Sequence, residues 1–271
     1  MNKTAKASVY FIFIIGAFIS LFPFYWVFCL STHNTNEIVV SFPFLPGTHL
    51  LENFIHLMRK GTFPRGFGNS CLISISSTFF TLFFSTMCGY SFAKYRFKGR
   101  AILFQIVLAT MMIPMQIGLV AFVKIIRMIG LYNTYIPLIA QFGSAFGVFW
   151  MTQYIKAYVP DEMLEAARIE GLGELNLLLR IVMPVISPAI ISYGIIYFVG
   201  SWNSYLMPLI VLQDTEKFTL PMTIAALQGR FELDLGMRYL ALALATVPLL
   251  VLFLSFSRTV RESIVAGAVK G

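Results

Sequence analysis

The chain has 271 residues, 58% of them hydrophobic and 12% charged, and a mean hydropathy of +0.79. Soluble domains carry roughly 25% charged residues, so an ordinary soluble domain is excluded and lipid becomes the main solvent of the fold. The net charge of +8 comes from cations in short segments between apolar runs, which ties it to topology and anionic lipid and excludes nucleic acid as a partner.

A helix needs about 20 apolar residues to cross the hydrocarbon core. In chain order, six segments qualify: 9–30, 70–92, 102–123, 135–155, 185–212 and 239–257. The predicted fold is an all-α membrane protein with six transmembrane helices. The first run is too long for a cleaved signal and is read as an uncleaved anchor. Residues 31–66 follow as an outer loop with Pro43, Pro46 and Pro64, predicted to be irregular. Its His33, His49 and His56 fit no compact metal motif and are read as solvated; no metal site is expected. Cys29, Cys71 and Cys88 lie in or beside apolar runs without a C-x-x-C pair, so they are read as membrane-buried thiols. The fourth run is the weakest, with Gln141, Ser144 and Gly147 inside it. The fifth is interrupted by Pro188, Gly194, Gly200 and Pro208 and is predicted to be broken. The last outer loop, 213–238, mixes Phe218, Leu220, Leu227 and Phe231 with charges, which suits a transient polar interface.

Orientation follows from the cations. With the N-terminus inside, twelve of the 20 Lys and Arg fall on the inner side, with a dense cluster from Lys94 to Arg100. Both termini are predicted to be cytoplasmic.

The inner loop at 156–184 is unusual. Pro160 and Asp161 supply a helix start, with acids near the favourable end of the dipole. Gly171 and Gly173 are predicted to end that helix, and a second stretch runs from Glu174 to Met183 and stops at Pro184. Met163, Leu164, Ala167 and Leu172 recur at helical spacing, and Ala166 and Ala167 are small enough for a partner to approach. Pattern alone also fits an amphipathic helix that merely anchors the loop at the interface. In the fifth run, Trp202 and Asn203 are candidate pathway-lining residues, since Asn203 is costly in lipid; an interfacial tryptophan beside a cap on the broken helix fits them slightly better.

Glu165-Ala166-Ala167, three residues, Gly171, nine residues, Ile181, one residue and Met183-Pro184 resemble the EAA loop of ABC importer permeases. Residues 96–100, 111–114 and 201–209 resemble that family's inner loop, third helix and fifth-helix signature. The tail 266–271 is similar to the C-terminus of the second permease subunit of maltose-type importers, the carbohydrate branch. Met183 stands where the family usually has Leu, a volume-conserving change. Glu170 stands where Asp is common, and keeps its charge.

The resemblance implies an inner-membrane permease subunit with the type I importer (MetI-like) fold, located in the bacterial plasma membrane. It implies an N-terminal helix and outer loop at 1–66, a permease domain at 67–260 and a cytoplasmic tail at 261–271. Glu165, Ala166, Ala167, Arg168, Gly171 and Pro184 are the matched coupling positions, with Glu165 as a polar anchor and Gly171 setting a turn. The implied partners are a second permease subunit, two ATP-binding cassette ATPase subunits, an extracytoplasmic sugar-binding protein and the bilayer. The sugar is expected to rest mainly on the other permease subunit. The chain has no Walker A pattern, so it is expected to bind no cofactor, with ATP-Mg held by the partner ATPase. No catalytic residues are expected. The competing class is a secondary transporter of a small polar solute. It would call for internal repeats and buried ionisable residues, and neither is evident in the sequence.

Overall fold

A computed structural model describes residues 3–140, 143–227 and 234–268, and every regular element among them is helical. The long α1 (Lys3–Ser31) leads into two short helices, α2 (Thr35–Ser41) and α3 (Leu50–Arg59), and then into α4 (Thr62–Lys94). Shorter pieces follow: α5 (Arg100–Thr110), α6 (Leu119–Met128), α7 (Ile136–Ile139) and α8 (Ala145–Tyr158). The inner loop folds as α9 (Asp161–Ile169), α10 (Glu174–Leu177) and α11 (Met183–Val185), the last two joined by a π-helical turn. The chain then forms α12 (Ser187–Trp202), α13 (Leu206–Val211), α14 (Leu220–Ala226) and α15 (Leu235–Ala268).

Among the described residues, three stretches are long and apolar enough to cross a membrane unbroken: Ser8–Ser31, Thr62–Lys94 and Leu235–Ser257, with mean hydropathies of 2.2, 1.6 and 2.3. They correspond to the first, second and sixth predicted runs. The fifth is broken, but at 203–205 between α12 and α13 and at none of the four predicted residues: Gly194 and Gly200 lie within α12 and Pro208 within α13. Pro188 does not break it, because it sits in the first turn of α12, where its missing N–H has no intrahelical acceptor to serve. The third and fourth runs are broken too, which their apolar content did not reveal. Pro114 is extended (φ −60°, ψ 126°) and disfavours helix at the residue before it, so α5 ends ahead of it. In the fourth run, Gly143 has φ +88° between α7 and α8, and Gln141 lies outside the described residues. Residues 228–233 of the last outer loop and 269–271 of the tail also lie outside them.

The chain forms two compact units, one of residues 1–67 with 220–248 and the other of 68–219 with 249–271. In the first, the segment predicted to be irregular contains α2 and α3. Asn34 and Glu37 make a reciprocal capping box on α2, which starts a helix in a proline-rich stretch. Buried Asn53 donates from Nδ2 to the carbonyls of Ser31 (2.9 Å) and His33 (3.0 Å), tying α3 to the end of α1. His49 is more than a solvated residue: its ring lies 2.9 Å from Glu52 and 3.6 Å from Glu37. Its hydrogen bond to the Glu52 carboxylate raises its pKa, with the charge of Glu37 adding to this, against some desolvation. Part of the last outer loop is core rather than surface, with Leu220, Met222 and Ile224 of α14 buried.

In the second unit the core gathers α4, α8, α12 and the inner loop around Tyr90, Met151, Ile155, Val182, Ile186 and Tyr193. Without a hydrophobic force between helices in lipid, close approach depends on small residues and hydroxyls. A Cβ at Gly147 would meet Ser85 Oγ at 2.5 Å and the Tyr193 ring at 2.6 Å. Ser77 and Ser201 hydroxyls meet at 3.1 Å between α4 and α12, and Trp150 Nε1 donates to the Ala189 carbonyl at 3.1 Å.

Candidate functional site

The inner loop is assembled as its residues dictate. Pro160 (φ −65°, ψ 147°) precedes the first turn of α9, and Asp161 and Glu162 place negative charge at its positive end. The other end closes as a Schellman motif. Gly171 takes φ +85°, its N–H donates to the Arg168 carbonyl at 3.0 Å, and Leu172 N–H donates to the Ala167 carbonyl at 3.1 Å. Gly173 plays a different part from the one predicted: it is extended (φ −71°, ψ 157°) and stands at the N-cap of α10. Pro184 lies exposed inside α11, and the helical path continues to Val185 before bending by 81° at Ile186 into α12.

The helix α9 has two faces. Leu164 (1% exposed) and Ala167 (6%) are buried with Leu177, Leu178, Val182 and Tyr90 of the same chain. Glu162, Glu165, Ala166 and Glu170 are exposed, and among them stands Ile169, 87% exposed. The two alanines, grouped in the sequence as one docking surface, therefore separate. Ala166 faces out, whereas Ala167 is small because the chain's own core closes over it.

Two charged clamps hold this helix. Lys94, at the end of α4, reaches Asp161 Oδ1 and the Val159 carbonyl, each at 2.5 Å. The lysine side chain is itself 8% exposed, and its hydrogen bond and charge hold the Asp161 carboxyl below the usual range. On the other side Arg168 donates to Glu174 through Nε (2.8 Å) and a terminal nitrogen (3.4 Å). Glu174 also accepts from the hydroxyls of Tyr90 (3.1 Å) and Tyr95. Arg168 first, then the two tyrosines, lower the Glu174 pKa against a desolvation that works the other way. Glu174 therefore gathers α4, α9 and α10 on one carboxylate. Lys94, Tyr90, Tyr95, Glu174 and Ile169 were not among the predicted site residues. Tyr90, Lys94 and Tyr95 are close in sequence but reach Glu174 and Asp161 only through tertiary packing. Ile169 could have been found as the one large apolar residue between Arg168 and Glu170.

Trp202 and Asn203 are separated by the break in the fifth run. Trp202 is buried and stacks on Phe198, with ring centroids 5.8 Å apart. Asn203 is exposed and donates from Nδ2 to the Val199 carbonyl at 3.0 Å, closing the end of α12. Beside the break lies a cavity of about 360 Å³ in the same unit, lined by neither of them but by Ser74, Tyr193, Tyr197, Gly200 and Ser204 among others. Among the described residues, no cluster of His, Cys, Asp and Glu fits a metal ion.

The sequence is similar to several curated proteins along nearly its full length. It is 33% identical to the arabinooligosaccharides transport system permease protein AraQ of Halalkalibacterium halodurans, covering 94% of this chain and 93% of that one. It is 32% identical to the lactose transport system permease protein LacG of Rhizobium radiobacter, covering 92% and 91%. It is 30% identical to the trehalose/maltose transport system permease protein MalG of Thermococcus litoralis, covering 95% and 94%. The fold matches a chain from the crystal structure of a bacterial ABC transporter involved in the import of the acidic polysaccharide alginate. That match has a TM-score of 0.83 and 19% identity, over 95% of this chain and 98% of that one. Residues 81–264 match the family described as binding-protein-dependent transport system inner membrane component. An all-helical membrane chain with broken middle spans and a clamped, two-faced inner helix thus agrees with its relatives in sequence and in fold, and the chain belongs to the binding-protein-dependent transport system inner membrane components, the permeases of ABC importers.

Proposed function

We propose that the chain forms half of the translocation pathway of a saccharide importer in the bacterial plasma membrane, with both termini in the cytoplasm. A second permease subunit supplies the other half, and two separate ATPase subunits hold ATP-Mg. An extracytoplasmic binding protein delivers the saccharide. The observation that carries the reading is the division of α9: Leu164 and Ala167 are fixed in the chain's core while Glu165, Ala166 and Ile169 are left exposed. A merely anchoring helix would have no use for a core-locked face opposite an apolar residue framed by acids. A helix that docks in a groove needs both, one to receive the partner and one to pass the motion on. ATP binding then biases an inward-open to outward-open equilibrium through differential contacts at that face.

Saccharide as the cargo is supported by the names of the relatives, whose proteins move arabinooligosaccharides, lactose, and trehalose or maltose. The test is to reconstitute the chain with its partner subunits in proteoliposomes and measure ATP hydrolysis with binding protein and labelled arabinotriose, lactose, trehalose or maltose. Stimulation by one of them, with uptake, is the expected result. Uptake driven by an ion gradient without ATP would overturn the proposal.

A further inference from the structure

We propose that the cavity between the inner ends of α4, α5 and α8 holds the headgroup of an anionic phospholipid of the cytoplasmic leaflet. The inference goes beyond the importer reading and takes from it only the orientation, which puts these helix ends at the inner membrane surface. The cavity measures about 670 Å³, within the roughly 300–1,000 Å³ range of small-ligand sites. Phe92 and Lys156 stand in the last turns of α4 and α8, and Arg100 opens α5, so the cavity lies where apolar helix gives way to polar chain. Phe92, Phe97 and Phe104 build its apolar side, with ring centroids 5.3 Å apart for Phe92 and Phe104 and 6.1 Å for Phe92 and Phe97. Arg100 and Lys156 supply its charge, and no Asp or Glu stands among the described residues that line it.

What the cavity takes is decided by how those two cations are left. Elsewhere in this unit Lys94, Arg168 and Lys217 each meet a carboxylate at 2.5–2.9 Å. Arg100 and Lys156 meet none among the described residues. Arg100 uses one terminal nitrogen on the Tyr95 carbonyl at 3.1 Å, which anchors it and leaves most of its donors free. The Lys156 ammonium stands over the Phe104 ring, 5.7 Å from the centroid, a contact that occupies none of its three N–H donors. Two like charges on one cavity without a counter-ion favour an anion there. The start of α5 adds to the attraction, with no acidic residue in its first turn to balance the positive end of the dipole. A free inorganic anion has no use for three aromatic rings. A phospholipid answers both halves, with its phosphate on the cations and its glycerol and acyl chains on the rings and on Ile102 and Ile106. Those two lie one turn apart on one face of α5 and are 64% and 53% exposed. Basic pockets between membrane helices on the cytoplasmic side take such headgroups.

The test uses the assembled transporter in detergent, titrated with phosphatidylglycerol or phosphatidylcholine. Bound lipid is read by native mass spectrometry, with thermal unfolding in parallel. The wild type should prefer phosphatidylglycerol, and excess inorganic phosphate should not displace it. Lys156→Gln changes an exposed side chain that pairs with no carboxylate, so it should unfold as the wild type does and lose about fivefold of the preference. Adding Arg100→Gln should bring the loss to about thirtyfold, from two cations of ordinary strength at a lipid surface. Lys156→Arg should keep the preference. Lys98→Gln should keep it too, because Lys98 has the same charge in the same segment but does not line the cavity. An equal loss in Lys98→Gln would reduce the effect to general basic charge and overturn the site. Wild-type preference in a normally folded Lys156→Gln would overturn it as well, and so would displacement by phosphate, the sign of a plain anion site. No preference in the wild type would show that a partner subunit covers this face, which again overturns the proposal. None of these outcomes depends on orientation, since the lipid is offered in detergent. Reaction of a cysteine at Glu162 with an impermeant maleimide in intact cells would instead overturn the choice of leaflet together with the orientation.

Discussion

Replacing Ile169 with Ala separates docking from folding more cleanly than any change to the alanine pair. Ile169 is 87% exposed and Ala167 is 6% exposed, two residues apart on one helix. Truncating Ile169 removes three carbons that nothing in this chain covers, so its cost to folding is near zero. If the side chain seats in an ATPase groove, those carbons contribute about 2 kcal/mol of transfer free energy at roughly 0.8 kcal/mol each. That is roughly a thirtyfold loss in affinity. Ala167→Trp is the opposite case. The indole has to enter a core already filled by Leu164, Leu177 and Tyr90, and overpacking of this kind costs typically about 1–3 kcal/mol. Titrating detergent-solubilised permease with labelled ATPase, alongside thermal unfolding, reads both quantities. Ile169→Ala should weaken binding at an unchanged unfolding temperature, and Ala167→Trp should lower that temperature. Wild-type ATPase affinity in Ile169→Ala, with wild-type thermal stability in Ala167→Trp, would refute the assignment of the two faces.

Three further outcomes follow from particular residues. Gly171→Val should loosen the turn by about 1–2 kcal/mol, the penalty of a left-handed backbone, and purely through the backbone, since a Cβ there meets no atom within 4 Å. Gly171→Asn should restore most of the transport lost, because Asn tolerates that conformation. Glu174→Gln should raise hydrogen exchange across 161–182 at neutral pH. In the wild type, the same loosening should appear as the pH falls below the ordinary glutamate range, because Arg168 lowers the folded pKa of Glu174 and its contribution is present above the unfolded value and lost on acidification; an exchange profile in Glu174→Gln identical to wild type would refute the clamp. In a background lacking Cys29, Cys71 and Cys88, single cysteines at Ser41 and Asp214 should react with an impermeant maleimide in intact cells, and one at Glu162 should react after permeabilisation; reaction at Glu162 in intact cells would reverse the proposed orientation.

The sequence was most legible where one local rule governs. The long apolar runs, the start at Pro160 and the turn at Gly171 are set by composition or by a single residue's dihedral preference. It was least legible where partners come from afar. Ala166 and Ala167 are the same residue type in adjacent positions, and what separates their roles is which side of α9 meets Leu177 and Tyr90. The Asn34–Glu37 capping box was readable in principle, yet three prolines masked it as an irregular loop. The breaks in the third and fourth runs were hidden because hydropathy averages over a proline or glycine without registering the dihedral it imposes. Asn203 was open to two readings from the sequence, a pathway or a cap on the broken helix, and its Nδ2 bond to the Val199 carbonyl fits the cap.

Which forces would carry motion from α9 into the bundle can be decided by magnitude. The Lys94–Asp161 and Arg168–Glu174 pairs look like the connection, but exposed ion pairs contribute about 0–1 kcal/mol each, and Asp161 and Glu174 are 73% and 48% exposed as side chains. Against them stand Leu164, Leu177 and Val182, each with exposure of 1% or less, and each contributing about 1.5–3 kcal/mol by burial. The apolar seam therefore sets the stiffness with which α9 moves together with α8, α10 and α12. The ion pairs do something the seam cannot. Apolar contact is non-directional and tolerates sliding, whereas a carboxylate shared by Arg168, Tyr90 and Tyr95 tolerates neither rotation nor slip of α9 against α4. Losing a clamp should therefore leave the loop attached and the protein folded while the helix turns under load. Glu174→Gln is thus expected to hydrolyse ATP with less uptake per turnover, a drop in coupling ratio rather than in assembly. An unchanged ratio of saccharide imported to ATP hydrolysed would show that the seam alone transmits the stroke.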